Sequence, residues 1–165
     1  MPRKSSRTRA GKPVTAFHAG VRLLAGRPHS RGELSTRLLR RGYDTDEVES
    51  ALGTLHELGY IDDASFAEGH ARRRSATRGP RAIAAELAAR GVERELVREA
   101  VSRIDREAQV LAAMRLVRRS AGGRRPASYE ELLHTAGARL VRRGFSHAIA
   151  FAACQAVWAA TVAEA

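Results

Sequence analysis

Closely spaced arginines in two parts of the chain are the residues best suited to binding chemistry. A guanidinium group offers a planar fork of hydrogen-bond donors that fits a carboxylate or a phosphate through two parallel bonds. The ordinary alternative is a solvated charged face, but no acidic residue is interspersed with the first group. The candidate partner-binding residues are Arg72, Arg73, Arg74, Arg78 and Arg81 in the first group and Arg115, Arg118, Arg119, Arg124 and Arg125 in the second.

Local helix stability does not account for the first group. Its arginines at positions 72–74 are consecutive, and three consecutive helical residues span about 200° of arc, so at least two must face solvent or a partner. Arg78 and Arg81 flank the predicted helix start at Gly79 and Pro80, where positive charge is disfavoured by roughly 0.3 to 1 kcal/mol each. Binding therefore explains these arginines better than folding does.

No residue pattern predicts catalysis, a metal site or a cofactor. Asp62 and Asp63 could share a cation, but carboxylates just before a helix more often cap its free amide groups. The six histidines show neither paired helical spacing nor cysteine partners. Gly122 and Gly123 lack the following Lys-Ser/Thr of a phosphate loop, and Cys154 lies in an apolar helical stretch that predicts an inert, buried thiol. We therefore predict that the protein is not an enzyme.

The charge of the whole chain favours a polyanionic partner. Its 165 residues include 29 Lys and Arg against 18 Asp and Glu, which gives a formal net charge of +11. Nucleic acid, a nucleoprotein assembly or an acidic protein face would each be attracted to such a chain. GC-rich codon usage could equally explain the preference for Arg over Lys, but it does not remove the charge.

The compartment is predicted from what the chain lacks. A single cysteine excludes an internal disulfide and fits a reducing environment. No apolar run approaches the roughly 18 residues of a membrane-spanning helix, and the first residues lack the apolar core of a secretion signal. We expect a cytoplasmic protein that does not contact membranes. Residues 1–13 are polar and basic, and we predict that they form a disordered tail.

A threefold internal repeat positions both arginine groups. Gly42, Gly91 and Gly144 each follow an arginine and precede an apolar residue, and they lie 49 and 53 residues apart. The difference of four residues is about one helical turn. Ser128 and Glu131 form a capping box one turn earlier in the third repeat than in the first, which predicts a lengthened helix there.

The predicted fold class is all-α, with three tandem three-helix repeats and about nine helices. Apolar residues recur at helical spacing along the chain, and no strand alternation competes. Each repeat is too small to bury its apolar face alone, so the repeats should stack. The arginine groups fall on equivalent first helices of the second and third repeats. The predicted divisions are the tail 1–13 and the repeats 14–61, 62–104 and 105–165.

Four motifs in order along the chain resemble the RecX regulatory family. They are L-G-Y-I-D-D-x-x-F-A at 58–67, R-G-P-x-x-I-x-x-E-L at 78–87, R-G-V at 90–92 and R-R-G-F-S at 142–146. The resemblance covers about residues 16–157. It implies an elongated, curved, all-helical modulator of the RecA recombinase. Such a protein sits in the groove of the RecA filament on single-stranded DNA and mainly inhibits filament growth, strand exchange and ATP hydrolysis. We expect a monomer without cofactors.

Two other functions stay open at this stage. A helix-turn-helix repressor is one, because three-helix units with glycine turns resemble that module. Against it, the helices after Gly42 and Gly144 carry acidic or apolar residues where base readout needs Asn, Gln or Arg. Sequence-nonspecific DNA binding is the other, and it could coexist with RecA binding.

Overall fold

The structure, a computed structural model, describes residues 14–121 and 126–163, and every regular element in those ranges is helical. The predicted all-α class is confirmed. The chain divides into two compact units, one ending at Ile61 and the other beginning at Asp62. The helices are α1 (Ala16–Gly26), α2 (Arg31–Leu39), α3 (Thr45–Glu57), α4 (Asp63–Arg74), α5 (Pro80–Ala89), α6 (Arg94–Ser102), α7 (Arg106–Ala121), α8 (Tyr129–Leu132), α9 (Ala138–Arg142) and α10 (His147–Ala163), with a π-helical turn (Leu133–Gly137) between α8 and α9.

The first unit is one three-helix repeat. Ser30 Oγ accepts a hydrogen bond from the backbone N–H of Glu33 at 3.1 Å, and Asp44 Oδ1 accepts one from Glu47 at 2.8 Å. These bonds satisfy amide groups that lack partners in the first turns of α2 and α3. Helix α3 packs against α1 and α2. The fully buried core side chains are Leu34, Leu38, Val48, Leu52 and Leu55.

Helices α4, α5 and α6 form the second repeat. Asp62 Oδ1 accepts a hydrogen bond from the N–H of Ser65 at 2.9 Å, so its predicted capping of α4 is confirmed. Pro80 is the first residue of α5, where a missing amide hydrogen leaves no bond unmade. The three helices pack around one apolar cluster. Its buried side chains include Phe66, Ala67, Ile83, Leu87, Val92 and Val97.

The third repeat runs from α7 to α10, with α7 packed along α10. Ser128 Oγ accepts a hydrogen bond from Glu131 N–H at 3.1 Å, and the helical run from α8 to α9 is about one turn longer than α2 or α5. The predicted lengthened helix is confirmed, and one of its turns is π-helical. Cys154 is fully buried, and burial raises the pKa of its thiol, which keeps it protonated and unreactive.

The aligned glycines end one helix in each repeat. Gly42, Gly91 and Gly144 have φ angles of +89°, +73° and +90°, in the left-handed region that glycine adopts without a steric penalty. In the first repeat the N–H of Tyr43 then donates back to the carbonyl of Leu38, and the other two repeats make the equivalent bond. The sequence repeat is therefore also a repeat of backbone geometry.

Direct backbone contact joins the second repeat to the third. The N–H of Gly79 donates to the carbonyl of Arg143 at 2.9 Å, and the N–H of Arg81 donates to the carbonyl of Gly144 at 3.2 Å. A Cβ atom added to Gly79 would lie 2.2 Å from the backbone nitrogen of Phe145, so only glycine fits. The R-G-P and R-R-G-F-S motifs thus pack on each other and hold two repeats in one unit.

Candidate polyanion-binding surface

The last turn of α4 carries three consecutive arginines in different surroundings. Arg72 and Arg73 are exposed, and neither has a carboxylate partner among the described residues. Arg74 is held by Glu86 of α5, with its Nε 2.9 Å from Oε2 and its Nη2 2.7 Å from Oε1. Two parallel bonds fix the guanidinium in place. Only two of the three arginines are thus free to meet a partner.

Glu86 is the centre of a polar cluster between α4 and α5, which we call the Glu86 clamp: His70, Arg74, Arg78 and Glu86. The Oε2 atom of Glu86 also accepts a bond from His70 Nε2 at 2.8 Å, and Arg78 Nε lies 3.8 Å from Oε1. The hydrogen bonds from Arg74, followed by the bond from His70, lower the pKa of Glu86 to about 2. Burial lowers the pKa of His70, so a neutral ring donates its Nε2 proton.

The clamp divides the first arginine group into two kinds of residue. Arg74 and Arg78 have an internal carboxylate partner, which no local sequence pattern indicates because Glu86 lies 12 residues after Arg74 on another helix. Arg72, Arg73 and Arg81 are exposed and have no carboxylate partner within residues 14–121 and 126–163. These three are the members of the group that remain available to a binding partner.

The second arginine group follows the outer face of α7. Arg115, Arg118 and Arg119 are all exposed, whereas Val117 between them is buried against α10. No carboxylate of the described ranges pairs with any of the three. Arg124 and Arg125 lie outside the described residues. The structure therefore places three of the five predicted residues, on one exposed side of one helix.

A cleft of about 210 Å³ in the second unit is lined by three arginines, two of which lie outside both predicted groups. We call it the arginine cleft, because Arg119, Arg139 and Arg143 line it together with Thr77 and Ser120. Its apolar lining comes from α7 and from the helical run before Gly144. The apolar residues are Leu116, Val117, Ala136 and Leu140.

Two helices, α7 and α9, position the three arginines of the cleft. Arg119 lies near the end of α7 and Arg139 lies in α9. Arg143 follows α9 directly, and its Nη1 donates to the backbone carbonyl of Thr77 at 3.5 Å. Thr77 belongs to the segment between α4 and α5. The cleft is thus formed by parts of the second and third repeats.

Of the eight predicted arginines that the structure describes, Arg119 alone lines the arginine cleft. Thr77 precedes Arg78 of the first group, and Arg119 belongs to the second. Arg139 and Arg143 were not selected from the sequence. Arg143 had a signal, because it aligns with the arginines before Gly42 and Gly91. Arg139 had none, because only the folded chain brings this residue beside the end of α7.

Among the described residues no carboxylate lines the arginine cleft. Like charges that share a cleft repel one another, and the repulsion grows as water is excluded from between them. An anion in the cleft would replace this repulsion with attraction. Glu131 lines only a neighbouring depression that also includes Arg139, and its Oε2 accepts a bond from the N–H of Ala127 at 2.7 Å.

Charge is distributed unequally between the two units. Residues 14–61 contain six arginines and six acidic residues, so their formal charges cancel. Residues 62–165 contain eighteen arginines and twelve acidic residues. Outside residues 1–13, the net positive charge therefore belongs to the unit that contains the arginine cleft.

Residues 14–121 and 126–163 lack two other kinds of site. No helix there has the length and apolar character needed to cross a membrane. No group of three or more His, Cys, Asp or Glu side chains in the same ranges is arranged to hold a metal ion.

The chain matches two family models that cover consecutive repeats. Residues 16–55 match the model described as RecX, first three-helix domain, and residues 62–101 match the model described as RecX, second three-helix domain. These ranges correspond to α1–α3 and to α4–α6. The exposed arginines of α4 therefore fall inside a matched domain, whereas the cleft residues on α7 and α9 lie beyond it.

Related proteins and solved structures extend the match to most of the chain. A regulatory protein RecX from Mycobacterium sp. (strain JLS) is 39% identical over 136 residues, which cover 79% of this chain and 74% of that protein. One from Thermobifida fusca (strain YX) is 37% identical over 133 residues, or 79% and 72% of the two chains. The crystal structure of RecX from Lactobacillus salivarius superposes with a TM-score of 0.78 at 22% identity, covering 86% of this chain and 94% of that one.

Proposed function

The chain belongs to the RecX family of regulatory proteins, and from this premise we propose that it binds the RecA recombinase and the RecA filament on single-stranded DNA. Bound there, it inhibits filament growth, strand exchange and ATP hydrolysis during recombination and DNA repair. It acts by occupying a surface and catalyses no reaction. Because its target assembles on DNA in the cytoplasm, it works there, as a monomer.

The observation that carries this proposal is a set of exposed arginines in the second unit that lack a carboxylate partner among the described residues. Folding gains nothing from such charges, whereas a nucleoprotein filament offers phosphates in a repeating array. An exposed ion pair contributes only about 0.2 to 1 kcal/mol, so affinity must come from several contacts made together. The arginines concerned are Arg72, Arg73, Arg81, Arg115, Arg118 and Arg119.

The structure gives a reason to prefer this function to that of a helix-turn-helix repressor. Helix α3 follows the first glycine turn, which is the position of a recognition helix, but it exposes Asp46, Glu49 and Glu57. Carboxylates on that face would repel the phosphates on either side of the major groove. Glu49 also forms an ion pair with Arg31 at 2.7 Å, and this pair neutralises one positive charge of the same unit.

The test measures ATP hydrolysis by RecA on single-stranded DNA with substoichiometric amounts of the protein. We expect the wild-type chain to slow hydrolysis and to sediment with filaments. The variant R72E/R73E should need at least about tenfold more protein for half-inhibition, a loss of about 1.4 kcal/mol or more. Its far-UV circular dichroism should match the wild type, because both side chains are exposed.

The matched control is R94E/R98E, which makes the same change in net charge on exposed positions of α6. It should inhibit like the wild type if the position of the charge matters. Arg74 is left unchanged in the test variant, because reversing it would break the Glu86 clamp. Wild-type inhibition by R72E/R73E, or an equal loss in both variants, would contradict the proposed role of α4.

A further inference from the structure

We propose that the arginine cleft binds a phosphate oxyanion, supplied either by the backbone of single-stranded DNA or by a free nucleotide. The inference rests on the proposed function only in expecting a polyanion nearby. The site itself follows from the residues that line the cleft. It requires no RecA, so it can be tested with the protein alone.

The volume of the cleft selects the size of the ligand. Sites for whole small molecules usually enclose about 300 to 1,000 Å³, whereas this cleft has about 210 Å³. A phosphate group fits in such a space, but a complete nucleotide would extend beyond it. The rest of the nucleotide, or the neighbouring links of a strand, would therefore stay outside.

The available donors select the charge and shape of the ligand. The Ser120 hydroxyl already donates to the Val117 carbonyl at 2.8 Å, and the Thr77 hydroxyl lies 3.4 Å from the Arg74 carbonyl. The guanidinium groups are thus the main donors in the cleft. Three guanidinium forks, one from α7 and two from α9 and its C-cap, match a tetrahedral anion with several acceptor oxygens better than a planar carboxylate with two.

The arginine donors extend from packed helices, so their backbone positions are set before an anion binds. Val117 of α7 and Leu140 of α9 are buried in one apolar cluster beside the arginine cleft. Arg143 is oriented by its bond to Thr77, and this bond uses only one of the five N–H groups of its guanidinium. A site on packed helices loses little freedom when the ligand enters, which favours binding.

The experiment follows the arginine Nε–H signals of the 15N-labelled full chain by NMR at constant ionic strength. Inorganic phosphate should shift the signals of Arg119, Arg139 and Arg143 more than those of Arg94 and Arg98, while chloride should not. A twelve-residue oligothymidylate should shift the same three signals, and a methylphosphonate oligomer of equal length, which lacks the charge, should not. ADP is the probe for a free nucleotide. Whichever of ADP and oligothymidylate binds with the lower dissociation constant identifies the source of the phosphate.

Matched variants separate the cleft from general charge. R119Q and R139Q change exposed side chains, and each should weaken oligothymidylate binding at least fivefold by fluorescence anisotropy. R98Q removes the same charge from α6 and should bind like the wild type. Equal weakening in all three, unmoved cleft signals, or full binding of the methylphosphonate oligomer would overturn the proposal.

RecA inhibition, measured on the same variants, separates this proposal from the proposed function. Loss of phosphate binding in R139Q with normal inhibition leaves the cleft site supported and shows that filament binding does not use it. Normal phosphate shifts in a wild-type protein that fails to inhibit RecA would support the cleft and contradict the proposed function.

Discussion

Glu86 shows how a single residue decides which arginines can serve a partner. Its carboxylate accepts two hydrogen bonds from Arg74 and one from His70, and it lies within 3.8 Å of Arg78. Arg72 and Arg73, on the same turn of α4, have no such carboxylate in the described part of the chain. Adjacent arginines of α4 therefore have different roles: Arg74 stabilises the fold, and Arg72 and Arg73 are available to a binding partner. Mutations of Arg74 should act on stability, and mutations of Arg72 and Arg73 should act on binding.

Replacing Glu86 with Gln should destabilise the second unit in a pH-dependent manner. The pKa of Glu86 is lowered from 4.5 to about 2, so its stabilising effect is complete above pH 4.5 and is lost as the pH falls towards 2. After discounting for partial solvent exposure, E86Q should lose about 1 to 2 kcal/mol at pH 7. Urea unfolding of both proteins between pH 2 and 7 measures the difference in free energy.

The control for this prediction is E95Q, which removes an exposed carboxylate that pairs with Arg98 on the surface of α6. Its effect should stay within about 0.5 kcal/mol at every pH, because exposed pairs contribute little. A difference between E86Q and the wild type that is the same at pH 2 and pH 7 would show that the charge of Glu86 does not stabilise the clamp.

At the scale of elements, the sequence predicts features that depend on neighbouring residues. It does not predict contacts between residues that are far apart in the chain. The caps at Ser30 and Asp44 and the turn at Gly42 depend on residues within one helical turn, so their positions follow from short patterns. The Glu86 clamp and the arginine cleft join residues from different helices, and a single sequence carries no mark of that pairing. The π-helical turn likewise matches no local motif that was identified in the sequence.

The contact between the two glycine motifs is the element-scale feature most sensitive to mutation. Gly79 has a φ of −82°, which any residue can adopt, so only the backbone of the third repeat excludes a side chain there. G79A should therefore destabilise the second unit by about 2 kcal/mol or more through overpacking. Trp158, the only tryptophan, lies in that unit and reports its denaturant unfolding by fluorescence.

The matched comparison for G79A is G42A. A side chain at Gly79 is excluded by neighbouring backbone atoms, whereas one at Gly42 is disfavoured by the φ angle. Gly42 has a left-handed φ of +89°, but a Cβ there would meet no atom within 4 Å. G42A should cost only the backbone strain, about 1 kcal/mol, measured by circular dichroism. If G79A is as mild as G42A, the close approach of Gly79 to Phe145 does not hold the repeats together.

For the whole molecule, the two units differ in net charge and therefore in their attraction to a polyanion. The first unit has balanced charges, and the second has six more arginines than acidic residues. Long-range attraction to a polyanion should therefore act mainly through the second unit and through the basic residues of 1–13. Within the second unit, the arginine cleft is lined by Arg119 of α7 and by Thr77, which follows α4.

If the two arginine groups bind one filament together, their effects on the dissociation constant should multiply. R72E/R73E and R115E/R118E should each raise the dissociation constant for RecA filaments about tenfold, and the fourfold variant about a hundredfold, because separate contacts on one rigid unit add in free energy. Sedimentation with filaments at several salt concentrations measures both affinity and the salt slope, which should be shallower in each variant. A fourfold variant no weaker than one of the double variants would show that only one arginine group faces the filament, and that the other serves a different partner or none.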